Sequence, residues 1–500
     1  MTTRSNTNTT PDSDSGSAPV PDSAATPSPR FPSPAHWIGG RPVPGGPDVI
    51  DVVNPANGRV IAAVPAGTAA DVDSAVAAAR TAFPAWAATG VTDRVATVRR
   101  LADVLESRVE EIALTITAEL GSPLTESRIA QAGQPVALAR ATADVAQDFP
   151  WSETIGNSLV LRESLGVVGA ITPWNFPLNQ MMSKVAPALL AGNTLVVKPS
   201  EVTPLTARIL AEAAAEAGLP GGVLNIVHGA GPVVGAAITA HPDVDMVTFT
   251  GSTAAGRLVA ASAADSVKRV TLELGGKSAS VVLPDADLEK AVALSLASAW
   301  FNNGQVCAAW TRLIVPADRQ RQVAELLVAA AEGFRVGDPM SEPTRLGPLV
   351  SETQRERVDA YIRRGLADGA RLVFGGPGRP DGCETGAYVR PTIFTDVDPD
   401  AVIAQEEIFG PVLSVIPYTD EEHAVAIANN SVYGLHGAVF GEPDHALSVA
   451  RRLRTGQVDV NGGQYNMVAP FGGYKQSGNG GREFGRYGLD DQLETKSVQL

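Results

Sequence analysis

The chain has 500 residues, 44% of them hydrophobic, with 54 acidic against 39 basic side chains and a formal net charge of −15. That length asks for two or three domains rather than one core. The acidic excess excludes nucleic acid or an anionic membrane as the main partner, because both need clustered Lys and Arg. Only Cys307 and Cys383 could pair, so no disulfide framework holds the chain, and a reducing, cytoplasmic compartment fits best. There is no apolar run of roughly eighteen residues to mark a transmembrane helix.

Residues 1–32 are rich in Ser, Thr, Pro and Asp. They lack the apolar core of a secretory signal, and Asp12, Asp14 and Asp22 disfavour a transit peptide. Such a segment buries too little to offset its ordering entropy, so we expect a disordered tail. His36-Trp37-Ile38-Gly39-Gly40 opens the folded part, and short strands are predicted over 49–53 and 60–64 about an Asn-Pro-Ala-Asn-Gly turn. Three helices follow, near 70–83, 92–119 and 124–148. Thr92 is the expected N-cap of the second, and Gly121 stands past its end. Segments 159–162 and 166–171 alternate as strands do.

From residue 194 strands alternate with helices. Strands are predicted over 194–198, 223–227 and 246–250, with helices over 203–217 and 232–240 and another opening at Ser252-Thr253. That alternation indicates a parallel sheet with crossover helices. Residues 278–460 repeat it, with helices near 287–301, 318–333, 351–368, 420–430 and 443–453. The last residues, 494–500, form a strand with no neighbour in sequence to pair with.

Several stretches interrupt these elements with chemistry. Phe301-Asn302-Asn303-Gly304-Gln305-Val306-Cys307 ends a helix in an Asn-Gly turn and puts a lone cysteine on a loop. A lone cysteine is ordinarily a small buried hydrophobe. Here Leu272-Glu273-Leu274-Gly275-Gly276 sets an acid at the end of a strand-like run, and Pro173-Trp174-Asn175-Phe176-Pro177 brackets an amide between prolines. Gly251-Ser252-Thr253 follows a strand and opens a helix, where a phosphate is favoured, though a capped turn explains it equally well. Gly229-Ala230-Gly231 reads as a plain left-handed turn. Lys198-Pro199-Ser200-Glu201 lies at a strand's C-terminal end, where open α/β sheets bind ligands; the alternative is a solvated ion pair. Glu407 and Phe409 precede a rigid Gly-Pro turn. No His/Cys/Asp cluster has metal-ligand spacing, so no catalytic metal is expected.

Together these stretches resemble the NAD(P)-dependent aldehyde dehydrogenase superfamily from about residue 37 to 500. TPWNFP, VVKPSE, FTGST, LELGGK, GQVC, QEEIFGPV and PFGGYKQSG stand in the family's order. The resemblance implies an α/β fold with a Rossmann-like cofactor domain, a second α/β catalytic domain and a small β oligomerisation element. It allots 33–145 and 165–275 to NAD binding, 276–475 to catalysis, and 146–164 with 476–500 to a bridging element in a homodimer or homotetramer. Cys307 is then the nucleophile, Asn175 with the Cys307 N–H the oxyanion site, Glu273 the base that hydrolyses the thioester, and Lys184 part of a proton path. Thr172, Pro173, Trp174, Lys198, Ser200, Glu201, Gly231, Gly251, Ser252, Leu274, Glu407 and Phe409 are implied to hold NAD. Glu201 should repel a 2′-phosphate, which favours NAD and leaves NADP as the alternative. Phe176, Gln180, Ser183, Val306, Tyr465 and Phe471 are expected along the substrate tunnel, and which aldehyde they select is not legible. Rival readings are a semialdehyde dehydrogenase that acylates coenzyme A, a branch that typically lacks the glutamate at 273, and a cofactor-independent thiol esterase.

Overall fold

Strands made almost wholly of Val, Ile, Leu, Thr and Ala cannot face water on either side, and they need helices on both faces. The computed structural model, which describes residues 1–2 and 31–500, shows that arrangement twice. The disordered tail expected over 1–32 falls, for residues 3–30, outside the described residues.

The first sheet has eight strands. Its centre is parallel and runs Arg269–Glu273, Met246–Thr250, Val167–Ile171, Thr194–Lys198, Leu224–Ile226. Every residue of Met246–Thr250, Val167–Ile171 and Thr194–Lys198 is buried. Antiparallel strands close both edges: His36–Ile38 with Arg41–Val43 on one side, and Gly478–Asn479 beside Arg269–Glu273 on the other. The second sheet has seven strands. Thr392–Thr395, Val412–Tyr418, Arg312–Pro316, Ala279–Val282, Gly437–Phe440 and Asp459–Val460 are parallel, and Arg371–Phe374 is an antiparallel edge.

Four local expectations change. The helix expected over 92–119 is two, Val91–Ser107 and Val109–Leu120, broken at Arg108, whose φ/ψ of −111°/13° lies outside the helical well. Its guanidinium is occupied by Glu111 and Glu212. Gly90, not Thr92, is the N-cap, because Thr92 already lies inside the first turn. Gly121 does end the second helix with φ 87°. The helix expected over 124–148 contains a π-helical turn, Ser127–Gly133, between Leu124–Glu126 and Gln134–Gln147. Pro135 has no N–H to give the carbonyl four residues back, so the ladder widens there. The C-terminal strand Leu493–Gln499 does find a partner in its own chain: it pairs antiparallel with Ser158–Ser164, which also pairs with Ser152–Ile155. Among the described residues its outer edge has no strand partner, and every residue after Leu493 is exposed.

Among the described residues no helix is long and apolar enough to cross a membrane. The C-terminal ends of Met246–Thr250 and Arg269–Glu273 open toward the loop that follows helix Leu288–Trp300 of the second sheet. That crevice is where parallel α/β sheets present functional groups.

Candidate active site

Asp287 caps helix Leu288–Trp300 by accepting from the Lys290 N–H at 3.1 Å. After Trp300 the chain turns through three successive left-handed residues, Asn302 (φ 50°), Asn303 (φ 60°) and Gly304 (φ 75°). Asparagine tolerates this region better than other side-chain-bearing residues. At Gly304 a Cβ would stand 2.2 Å from the Gly410 carbonyl carbon, so only glycine fits. Buried amides hold the turn. Asn302 Nδ2 donates to the Asn175 carbonyl at 2.9 Å, and Asn303 Nδ2 donates to the carbonyls of Gly121 and Pro348. Gln305 Oε1 accepts from the Val350 N–H, and Glu126 Oε2 from the Asn302 N–H. Cys307 emerges from this scaffold half-buried and free. Burial, then the charges of Glu407 and Glu273, push its thiol up to about 12.

Asn175 lies beside it. Its side-chain Nδ2 donates to the Gln305 carbonyl at 3.0 Å, and its own carbonyl also accepts from Gln131 Nε2 at 2.9 Å. Gln131 comes from the π-helical turn.

Glu273 ends its strand buried, 3% exposed, and neither carboxylate oxygen has a hydrogen-bond partner among the described residues. Burial and the neighbouring Glu483 raise its pKa well above the usual carboxylate range, against the pull of Lys184 and Arg482. Lys184 does not contact it through a hydrogen bond. Its ammonium instead donates to Glu483 Oε1 at 2.5 Å and to Thr250 Oγ1 at 2.7 Å. Glu483 is one site residue that sequence reasoning missed. Its only local signal is an acid in a glycine-rich run, and its partner lies 299 positions away.

Two cavities meet at the cysteine. One of about 160 Å³ is lined by Pro173, Trp174, Asn175, Gly251, Ser252, Leu274, Glu407, Phe409 and Cys307. The other, of about 530 Å³, is lined by Phe176, Gln180, Val306, Tyr465, Phe471 and Cys307 among others. Ser183 is not on that wall. It is buried in helix Pro177–Ala191 with its hydroxyl donating back to the Gln180 carbonyl at 3.2 Å, too short to reach past its own helix. Trp174 and Phe409 meet edge-to-face at 5.2 Å in the smaller cavity, and Phe409 is itself left-handed at φ 64°. Such strain in a bulky residue persists only where its surroundings enforce it. Glu407 accepts from the Gly276 N–H at 2.9 Å. Burial pushes its carboxyl up to about 7. Gly275 has no Cβ to block it, since one would fall 2.3 Å from Oε2.

A second group lies along the end of Thr194–Lys198. Lys198 Nζ donates to Glu201 Oε2 at 2.6 Å, and the Gly231 N–H to Glu201 Oε1 at 3.2 Å. Burial raises the Glu201 carboxyl, but the charge and hydrogen bond of Lys198 outweigh it and hold it below its usual range. Thr172 donates its N–H to the Lys198 carbonyl, while its buried hydroxyl has no partner among the described residues. Ser200 is turned inward, its Oγ accepting from the Val202 N–H at 3.2 Å. Ser252 Oγ caps helix Thr253–Ala263 by accepting from the Ala255 N–H. Among the described residues no group of His, Cys, Asp and Glu is placed to hold a metal ion.

The model of the aldehyde dehydrogenase family matches residues 43–498. The chain belongs to the aldehyde dehydrogenase family. A curated family member, the 3-succinoylsemialdehyde-pyridine dehydrogenase of a Pseudomonas species, is 48% identical over 457 residues, 91% of this chain and 96% of that protein. The crystal structure of a mutant aldehyde dehydrogenase C from Pseudomonas syringae, complexed with NAD+ and octanal, superposes with a TM-score of 0.92 at 47% identity, covering 93% of this chain and 96% of that one. The Mycobacterium tuberculosis aldehyde dehydrogenase complexed with NAD+ gives 0.92 at 44% identity, covering 95% and 99%. The α/β fold expected from the resemblance is therefore the family's fold.

Proposed function

We propose that the protein oxidises an aldehyde to a carboxylic acid with NAD, through a covalent bond to Cys307. The observation that carries this reading is that Cys307 is the residue shared by the two cavities, one apolar and one bordered by Glu407, Phe409, Trp174 and the start of helix Thr253–Ala263. A nucleophile at that junction meets an aldehyde from one side and a redox partner from the other.

The residues fit a nicotinamide dinucleotide. Glu201 with Lys198 offers a charged acceptor and a donor for ribose hydroxyls, the buried Thr172 hydroxyl lacks a partner, and the capped helix end at Ser252 suits a pyrophosphate. Glu407 suits the second ribose. Bound NAD supplies the acceptor for the aldehyde's hydrogen as hydride. The ionised Glu201 carboxylate disfavours a 2′-phosphate, which supports NAD over NADP.

The chain's own residues do the rest. Burial keeps the resting Cys307 thiol neutral, so its proton passes to a water in the site and the sulfur attacks the carbonyl carbon as thiolate. The Asn175 Nδ2–H left over from the Gln305 bond, with the Cys307 N–H, takes the oxyanion. Glu273 accepts a proton from the water that hydrolyses the thioester. The Lys184–Glu483 pair beside it gives that proton a way out along buried polar groups. On this reading residues 33–145 and 165–275 form the cofactor domain, 276–475 the catalytic one, and 146–164 with 476–500 a bridging element. The unpaired edge of Leu493–Gln499 supports a homodimer or homotetramer, and two free cysteines support a reducing cytoplasm.

An aldehyde panel read by NADH absorbance, with NAD and with NADP, tests the reading. We expect NAD-linked turnover without coenzyme A, abolished in Cys307→Ala. Dependence on coenzyme A, or ester cleavage with no redox activity, overturns it in favour of an acylating enzyme or a thiol esterase.

A further inference from the structure

Resting on that reading, the walls of the larger cavity define which aldehyde enters. Phe176, Phe301, Trp310, Tyr465, Phe471 and Phe484 all line it. Phe176 and Phe301 are stacked at 6.2 Å with an interplanar angle of 30°. Phe471 lies 5.4 Å from Phe484, which Tyr465 meets edge-on at 6.2 Å. Rings that present both faces and edges suit a flat aromatic body better than a flexible chain, because quadrupoles pair by offset stacking and edge contacts.

One corner of this apolar space is polar. Trp310 Nε1 donates to His436 Nδ1 at 3.2 Å, and the same nitrogen lies 3.3 Å from the Ala308 carbonyl. An indole only donates, so Nδ1 accepts from Trp310, and Nε2 is turned toward Asp459. That Nε2 is buried with no hydrogen-bond partner among the described residues, 3.4 Å from Asp459 Oδ2. His436 and Asp459 both line the cavity, as does Gln457. Asp459 is the charged side chain of the wall, and none of the described lining residues is Lys or Arg. A carboxylate brought into this largely apolar space would face a like charge with no Lys or Arg on the wall to compensate its desolvation.

We propose that the substrate is an uncharged aldehyde bearing an aromatic or heteroaromatic ring, seated among these rings with any polar edge toward His436 and Asp459, and that carboxylate-bearing aldehydes are excluded. Asp459 is the residue that excludes them.

The test compares kcat/KM for 3-phenylpropanal, its pyridin-3-yl analogue, its 4-carboxyphenyl derivative and hexanal, in wild-type protein and Asp459→Asn. Wild type should favour the two neutral ring aldehydes over the carboxylated one by about 100-fold, the scale of burying an unpaired charge. It should favour them over hexanal by about tenfold, the scale of a pocket's shape discrimination. Asp459→Asn should narrow the carboxylate gap by about tenfold. Equal use of the carboxylated aldehyde by wild type overturns the proposal whether or not the variant folds. Hexanal matching the ring aldehydes overturns the aromatic assignment, and a gap unmoved in folded Asp459→Asn overturns the role of Asp459. Even turnover of all four would leave aldehyde oxidation standing, whereas no NADH from any of them overturns both.

Discussion

The side-chain amide of Asn175 donates to the main-chain carbonyl of Gln305 at 3.0 Å. The proposed oxyanion donor and the loop that carries Cys307 are thus joined two residues before the cysteine. Asn175→Ala removes both the oxyanion donor and this clamp. It should lower kcat by about 10²–10³-fold, the usual loss for one such donor. Stopped-flow NADH formation checks it, and a rise in KM with kcat unchanged would mean that Asn175 only shapes the pocket.

Glu273→Gln should separate the two half-reactions. Glutamine keeps the shape but accepts no proton at neutral pH. Cys307 would still attack once, giving a burst near one NADH per site, with later turnovers slowed ~10²–10⁴-fold. Mass spectrometry of the quenched variant should find the acyl group on Cys307. Wild-type turnover would remove Glu273 from the mechanism, and an adduct elsewhere would move the nucleophile.

Glu201→Ser should weaken NAD and narrow its advantage over NADP. The Glu201 carboxylate, held by Lys198 and the Gly231 N–H, is the charge that a 2′-phosphate would face. Titration of KM for both cofactors measures the change. A wild-type preference for NADP would show that this pair does not read the ribose.

Deleting residues 494–500 strips the strand that covers Ser158–Ser164. The newly bared edge should make the protein less soluble and its assembly smaller, as read by sedimentation velocity. A full-length protein that sediments as a monomer would disconnect the strand from assembly.

Stability should fall with rising pH partly through Glu119. This side chain is fully buried, accepts from the Leu205 N–H at 2.9 Å, and is pushed up to about 8 by burial against its backbone hydrogen bonds. The folded state therefore holds the proton more tightly than the unfolded chain, where the value is near 4.5. The contribution is intact below that lower value and is lost as pH climbs through about 8. Glu119→Gln should flatten this part of the Tm-against-pH curve between about pH 5 and 9. Parallel curves for the two proteins would assign the slope to other groups.

Where a feature depended on neighbours in sequence, the chain could be read directly. The strands Thr194–Lys198 and Met246–Thr250 were legible because an unbroken apolar run bounded by turn residues leaves little else to form. The left-handed turn before Cys307 was announced by Asn302-Asn303-Gly304. Features set by distant partners were hidden. Nothing near Arg108 announces that Glu212 will hold it, and nothing near Glu483 points to Lys184. The strand at the C-terminus showed its alternation but not its partner, which lies more than three hundred residues earlier. Ser183 has helical spacing consistent with either wall or core, and a side chain this short follows its own backbone.

The run of left-handed residues before Cys307 also orders events as the chain is made. Each asparagine held there costs up to about 1–2 kcal/mol relative to an ordinary conformation, and the bonds that compensate come from Gly121, Glu126 and Asn175 on one side and from Gly347, Pro348 and Val350 on the other. A nascent polypeptide that has emerged only as far as Cys307 carries the thiol but lacks half of its brace. The brace is complete only with the segment some forty residues further on in place. Translation therefore delivers the cysteine first and its geometry afterwards, and a chain cut short before residue 347 cannot present a finished reactive centre.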